Sequence, residues 1–275
     1  MSVRPPAVAG QFYPGTRGSL LAVLDRCIPS GVKAGKAVGL VAPHAGYLYS
    51  GATAGATYAR AVIPDRVAVL APNHTGVGDP IAVWDCGAWS TPLGEVQVDE
   101  ELAGALLRRC PEASDDRTAH FHENPFSHQE HSLEVQLPFI QRFNPASRIL
   151  PVCVGTHDRS ALASLGDALA EVVRSAGGDV LIVASSDMTH FEPSGRARAK
   201  DDLAIARVRA LDPEGLLAVV RKHSISMCGV APVAAMLWAA KSLGAGECEL
   251  VDYSHSGMIT GDDSEVVGYA GLVIR

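Results

Sequence analysis

The chain has 275 residues, of which 47% are hydrophobic and 19% charged, so it carries apolar material for a sizeable core and is excluded from the disordered class. Its 23 Lys and Arg against 30 Asp and Glu give a net charge of −7 with no basic run. That excludes a surface for nucleic acid or a polybasic membrane contact and leaves a small molecule as the expected partner.

No stretch approaches the ~20 apolar residues of a membrane helix, and the start MSVRPPAVAGQFYPG has no signal-peptide core. The cysteines at 27, 86, 110, 153, 228 and 248 form no C-x-x-C pair. One cytoplasmic domain with reduced thiols is expected.

In chain order, Val38 to Ala42 and Val67 to Ala71 are short, β-branched, apolar runs of strand length. Trp84 to Val98 is rich in turn formers and reads as an irregular excursion or small hairpin. Asp99 to Arg109 is a helix with acids in its first turn, arginines in its last and Pro111 beyond. Pro111 to Ser127 is irregular and precedes a helix expected from Gln129 to Phe143, which Pro138 should kink.

Ile149 to Val154 is the next strand. Leu162, Leu165, Leu169 and Val172/Val173 then mark a helix capped by Asp158 and closed by Gly177 and Gly178. Val180 to Ala184 is a strand, Asp212-Pro213 opens a helix, and another runs from about Val230 to Leu243. Glu249 to Tyr253 and Val266 to Ile274 complete the strands. Strands alternating with helices predict an α/β fold, a mostly parallel sheet flanked by helices on both faces.

In open α/β sheets ligands bind beyond the carboxyl ends of the strands. His44, His74, His190 and His255 each follow such a run, four of the ten histidines at four strand ends. Imidazoles converging from separate strand ends, with a thiolate or carboxylate, are the raw material of a metal site. Cys228 lies just ahead of the Val230 helix, where a helix N-terminus favours thiolate. His120, His122, His128 and His131 match neither H-E-x-x-H nor a zinc-finger spacing and read as a surface loop. His131 and Glu134, with Glu130, are placed to support the site from behind.

The strings PPAVAGQFYPG (5–15), VAPHAGYLYSG (41–51), APNHTG (71–76), TPLGEVQVD (91–99), EHSLEVQLPF (130–139), SSDMTHF (185–191), SMCG (226–229) and VVGYAG (266–271) occur in this order. Together they resemble the Memo family, whose bacterial and archaeal members are called AmmeMemoRadiSam system protein B. The resemblance implies a fold similar to the B subunit of class III extradiol ring-cleavage dioxygenases. It implies a metal-capable pocket at His44, His74 and Cys228, with Asp187 and His190 as further pocket residues. In the expected mechanism His44, His74 and Cys228 hold the metal while His190, oriented by Asp187, transfers protons. The resemblance also implies radical-SAM and Ammecr-type partner proteins.

The expected activity is that of a non-haem, Fe(II)-dependent, dioxygenase-like enzyme acting on a small oxygen-bearing substrate, aromatic compounds included. One departure bears on the metal: ring-cleaving enzymes use two histidines and a carboxylate, whereas a thiolate third ligand shifts preference toward Cu or Zn. The competing readings are a non-catalytic metal, redox or ligand-binding adaptor and a metal-free hydrolase with Cys228 as nucleophile.

Overall fold

A computed structural model describes residues 2–121 and 129–275. His122 and His128 lie outside the described residues. The elements in order are β1 (Val3–Arg4), α1 (Arg17–Cys27), β2 (Gly39–Ala42), α2 (Tyr47–Ala59), β3 (Arg66–Pro72), β4 (Ile81–Val83), β5 (Ala88–Thr91), β6 (Gly94–Gln97), α3 (Glu100–Arg109), β7 (Ser114–Asp115), α4 (Leu137–Phe143), β8 (Arg148–Val154), α5 (Arg159–Ser175), β9 (Leu181–Ser185), β10 (His190–Glu192), α6 (Ser194–Arg209), α7 (Pro213–His223), α8 (Val230–Ser242), β11 (Cys248–His255), α9 (Gly257–Thr260) and β12 (Val266–Ile274).

The main sheet runs β10-β12-β2-β9-β3-β8-β4-β7, with β11 also paired to β12. It is mixed. Its centre, β2, β9, β3 and β8, is parallel, while β12 and β4 join that centre antiparallel. The fold is α/β, with the parallel pairing expected from the sequence found at the centre and again between β4 and β7 at one edge. The excursion around Trp84 to Val98 is a hairpin of β5 and β6, which β1 extends into a second, small sheet.

Successive strand residues face opposite sides, and each side has its own core. Val41, Leu70, Val152 and Ile182 pack with Leu102, Leu165, Leu169 and Leu237 from α3, α5 and α8. Leu40, Val69, Val183 and Val273 pack with Leu20, Leu24, Tyr58 and Phe139 from α1, α2 and α4. The expected helix starts hold: Asp99, Asp158 and Asp212 accept hydrogen bonds from Leu102, Ala161 and Gly215 backbone N–H.

The helix expected over 129–143 is shorter. Only a 3-10 turn at Glu134–Gln136 and α4 form, and Pro138 sits in the first turn of α4, where it starts a helix rather than kinking one. Before them, the Glu130 carboxylate binds the N–H groups of His131 and Ser132, which holds this stretch in a turn.

Register fixes where the loops emerge. Ala42 lies opposite Ser185, Leu70 opposite Ala184, and Pro72 opposite Val154, so the carboxyl ends of β2, β9, β3 and β8 finish nearly flush. The segments carrying His44, His74 and Asp187 to His190 therefore leave one edge of the sheet.

Candidate metal centre

His44 follows β2 by two residues and is 2% exposed. Its backbone N–H donates to Asp187 Oδ1 at 2.8 Å, and its Nδ1 lies 2.8 Å from Ser185 Oγ. That hydroxyl donates its one hydrogen to the Ser132 carbonyl at 2.7 Å and accepts from Gln136 Nε2 at 2.8 Å. Its remaining lone pair takes the His44 Nδ1–H. The tautomer follows: His44 Nε2 carries a lone pair and faces Cys228 Sγ at 3.3 Å.

His74 follows β3 and keeps 34% of its side chain exposed. Glu130 holds it twice, accepting from its backbone N–H at 2.6 Å and from Nδ1 at 3.1 Å. In the neutral ring this leaves the lone pair on His74 Nε2. Glu130 also accepts from Ser132 Oγ at 2.6 Å and is 3% exposed, so its oxygens are engaged in positioning.

Cys228 precedes Gly229, the residue before α8. A Cβ at Gly229 would meet the Ser185 carbonyl oxygen at 2.2 Å and Ser186 Cβ at 2.5 Å, so only glycine lets this helix end rest on the end of β9. The Asp187 N–H donates to Cys228 Sγ at 3.3 Å. One ligand atom each from His44, His74 and Cys228 lies within 4.8 Å of the others, although the residues span 184 positions of sequence.

Other expected residues fall in different places. Asp187 is 5% exposed and aims Oδ2 at His44 Nε2, 4.0 Å away. It steadies the His44 loop rather than orienting His190. His190 is held instead by Ser226, whose carbonyl lies 2.9 Å from Nδ1 and whose Oγ accepts from the His190 N–H at 2.8 Å. Glu134 does not face the site: it binds Arg4 Nη1 and Tyr13 OH, each at 2.6 Å, and the Ala7 and Val8 N–H groups. His120 is a buried core residue with Nε2 on the Ala82 carbonyl, not part of a surface loop. His255 sits 3.7 Å from Asp263 and belongs to no candidate ligand group among the described residues.

His131 is the residue the sequence undervalued. Its ring stacks on His74 at 5.1 Å, meets His44 edge-on at 5.9 Å, and lies 4.6 Å from the tilted Phe12 ring. Only its place between Glu130 and Ser132 in EHSLE hinted at this.

The charges sort the groups. Burial, reinforced by His74 and His131, lowers the His44 pKa well below its ordinary value, so His44 stays neutral. Burial alone would lower His74 too, but its hydrogen bond to Glu130 outweighs that and raises it. The Glu130 carboxyl resists its own burial because His74 and Ser132 hold it well below the usual range. Burial and the Asp187 charge push the Cys228 thiol up, overriding the helix end expected to stabilise thiolate. Two imidazoles whose Nδ1 atoms are tied to protein acceptors, one of them held neutral, and a thiol that a cation would deprotonate form a donor set suited to a transition metal.

The chain matches the family model described as Memo-like protein over residues 4–273. A MEMO1 family protein of Methanopyrus kandleri is 42% identical, covering 99% of each chain. Those of Aquifex aeolicus and Methanosarcina barkeri are 43% and 40% identical, covering 99% of this chain and 99% and 100% of their own. A solved Escherichia coli K12 protein described as uncharacterized overlaps 77% of this chain and 86% of its own at 14% identity and a TM-score of 0.48, too distant to add to the assignment. Coverage of nearly the whole chain at this identity places it in one group: the chain belongs to the Memo-like protein family.

Proposed function

We propose that the chain binds one redox-capable metal ion through His44 Nε2, His74 Nε2 and Cys228 Sγ and serves dioxygenase-like chemistry on a small oxygen-bearing substrate. The observation that carries this is the convergence of one ligand atom from each of these three residues within 4.8 Å, with His44 Nε2 facing Cys228 Sγ at 3.3 Å, while both Nδ1 atoms are tied to protein acceptors. Fe(II) is the proposed ion, and the soft thiolate admits Cu or Zn as competitors. The ion, when bound, supplies Lewis acidity and electron transfer.

The chain's own residues do the rest. Ser185 and Glu130 fix the two imidazoles against rotation. Asp187 places a carboxyl 4.0 Å from His44 Nε2. The Ser226 carbonyl acceptor keeps the His190 proton on Nδ1, leaving Nε2 to accept a proton from an acidic substrate hydroxyl. A metal-free cysteine hydrolase is disfavoured because it needs a thiolate near neutrality, whereas Cys228 is pushed the other way.

Anaerobic purification followed by elemental analysis and O₂ uptake with catechols tests the proposal. Bound metal should shield Cys228 from alkylation, and chelation should expose it. Metal without O₂ uptake supports the adaptor reading. Equal labelling with metal and with chelator ends ligation by Cys228.

A further inference from the structure

A cleft of ≈ 480 Å³ opens between α1, the start of α2 and α9. Its size suits a small organic molecule. Phe12, Leu48, Tyr49, Ala52 and Ile259 form its apolar lining, with Arg26 beside them. Leu48, Tyr49 and Ile259 are 70%, 38% and 50% exposed, so they are not consumed by the core. Met258, next along α9, is 62% exposed. Large apolar side chains gathered and left open to solvent mark a binding surface.

Two further observations say what the cleft would hold. Arg26 has no ion-pair partner among the described residues; its neighbour Asp25 is taken by Arg142 at 2.9 Å. An unpaired guanidinium on an otherwise apolar wall selects an anionic group. Phe12 forms part of the cleft wall while its ring lies 4.6 Å from that of His131, which in turn stacks on His74. The cleft is thus two ring contacts from a proposed metal ligand.

We propose that this cleft receives the apolar body of the substrate, an aromatic or aliphatic molecule bearing one carboxylate or similar anion directed to Arg26. The inference rests on the proposed function, in which the reacting oxygen-bearing end lies at His44, His74 and Cys228. Apolar contacts in the cleft supply affinity, and the guanidinium supplies discrimination.

The test uses three probes of equal length, 4-phenylbutyrate, 4-phenylbutan-1-ol and 4-phenylbutylamine, titrated calorimetrically into the metal-free full chain. The acid should bind most tightly and the amine least. Arg26→Gln should erase the acid's advantage over the alcohol, about threefold for an exposed ion pair. Ala52→Trp, at an exposed position in the cleft, should weaken all three by about tenfold by filling it. Both variants should keep wild-type metal content and thermal midpoint.

Saturation with the acid should also move the ring signals of His131 in histidine-labelled protein, because Phe12 connects the two. An acid that binds no better than the amine, or an affinity unchanged in Ala52→Trp, overturns the cleft as a site. Binding that leaves His131 unmoved overturns its role as a substrate subsite. Metal uptake is read separately, so failure of the metal reading leaves the probe series interpretable.

Discussion

His74 and His190 leave the ends of paired strands of one sheet, yet their surroundings differ in kind. His74 is partly exposed but gripped by a buried, charged carboxylate that accepts from both its backbone N–H and its Nδ1. His190 is half-buried and rests against the neutral carbonyl of Ser226. Under the proposed function, with His74 a ligand and His190 a proton carrier, exposure does not separate the two rings; the charge on the Nδ1 partner does. A carboxylate strengthens the opposite nitrogen as a donor more than a neutral carbonyl, which fixes the tautomer alone.

The comparison breaks most visibly at Glu130. Glu130→Ala strands the His74, His131 and Ser132 donors inside the protein. It should cost ~3 kcal/mol or more in chemical denaturation, since each unsatisfied buried donor costs ~1–3 kcal/mol. Metal affinity should fall by ~10–100-fold. Glu130→Gln keeps the shape and should recover most of the stability but less of the affinity. Affinity unchanged in both variants would show that His74 needs no carboxylate.

Ser185→Ala removes the acceptor of His44 Nδ1 and leaves the Gln136 amide unpaired there. A loss of ~1 kcal/mol and about tenfold in metal affinity is expected, measured by denaturant titration and competition with a chelator. A larger loss than that of Glu130→Ala would reverse the ranking of the two supports.

The pH dependence of the metal-free protein sharpens the same contrast. Because Glu130 is held below the usual carboxyl range, its stabilisation is full above its unfolded value of ~4.3 and is lost as pH falls. His44, held neutral, acts in the same sense from ~6.5 downward. His74 is raised, so its contribution is present below ~6.5 and fades as pH rises through its folded value. Stability should therefore fall progressively as pH drops below about 5, and Glu130→Gln should flatten that fall. Parallel profiles for the two proteins would place the acid sensitivity elsewhere.

The smallest effect is expected at His190. His190→Ala should leave metal content within about twofold of wild type, because this ring fixes no proposed ligand. If the protein turns over, His190→Ala should slow the rate while metal is retained. Loss of metal as complete as in His44→Ala would make His190 a ligand.

The sequence determined what short-range chemistry controls. The caps Asp99, Asp158 and Asp212 each act on a residue three positions ahead, so their helices were legible in it. Continuous apolar, β-branched runs located six strands, and the residues after two of them, His44 and His74, meet at one edge, whereas His255 does not join them. Only the tertiary structure decided what lies behind them. Glu130 and Glu134 are the same residue type four positions apart, yet one grips His74 and the other Arg4. Their partners, 56 and 130 positions away, are selected by which segments the folded sheet brings alongside, and no local pattern encodes that choice. The same holds for Cys228, carried to His44 only because Gly229 lets α8 settle against β9.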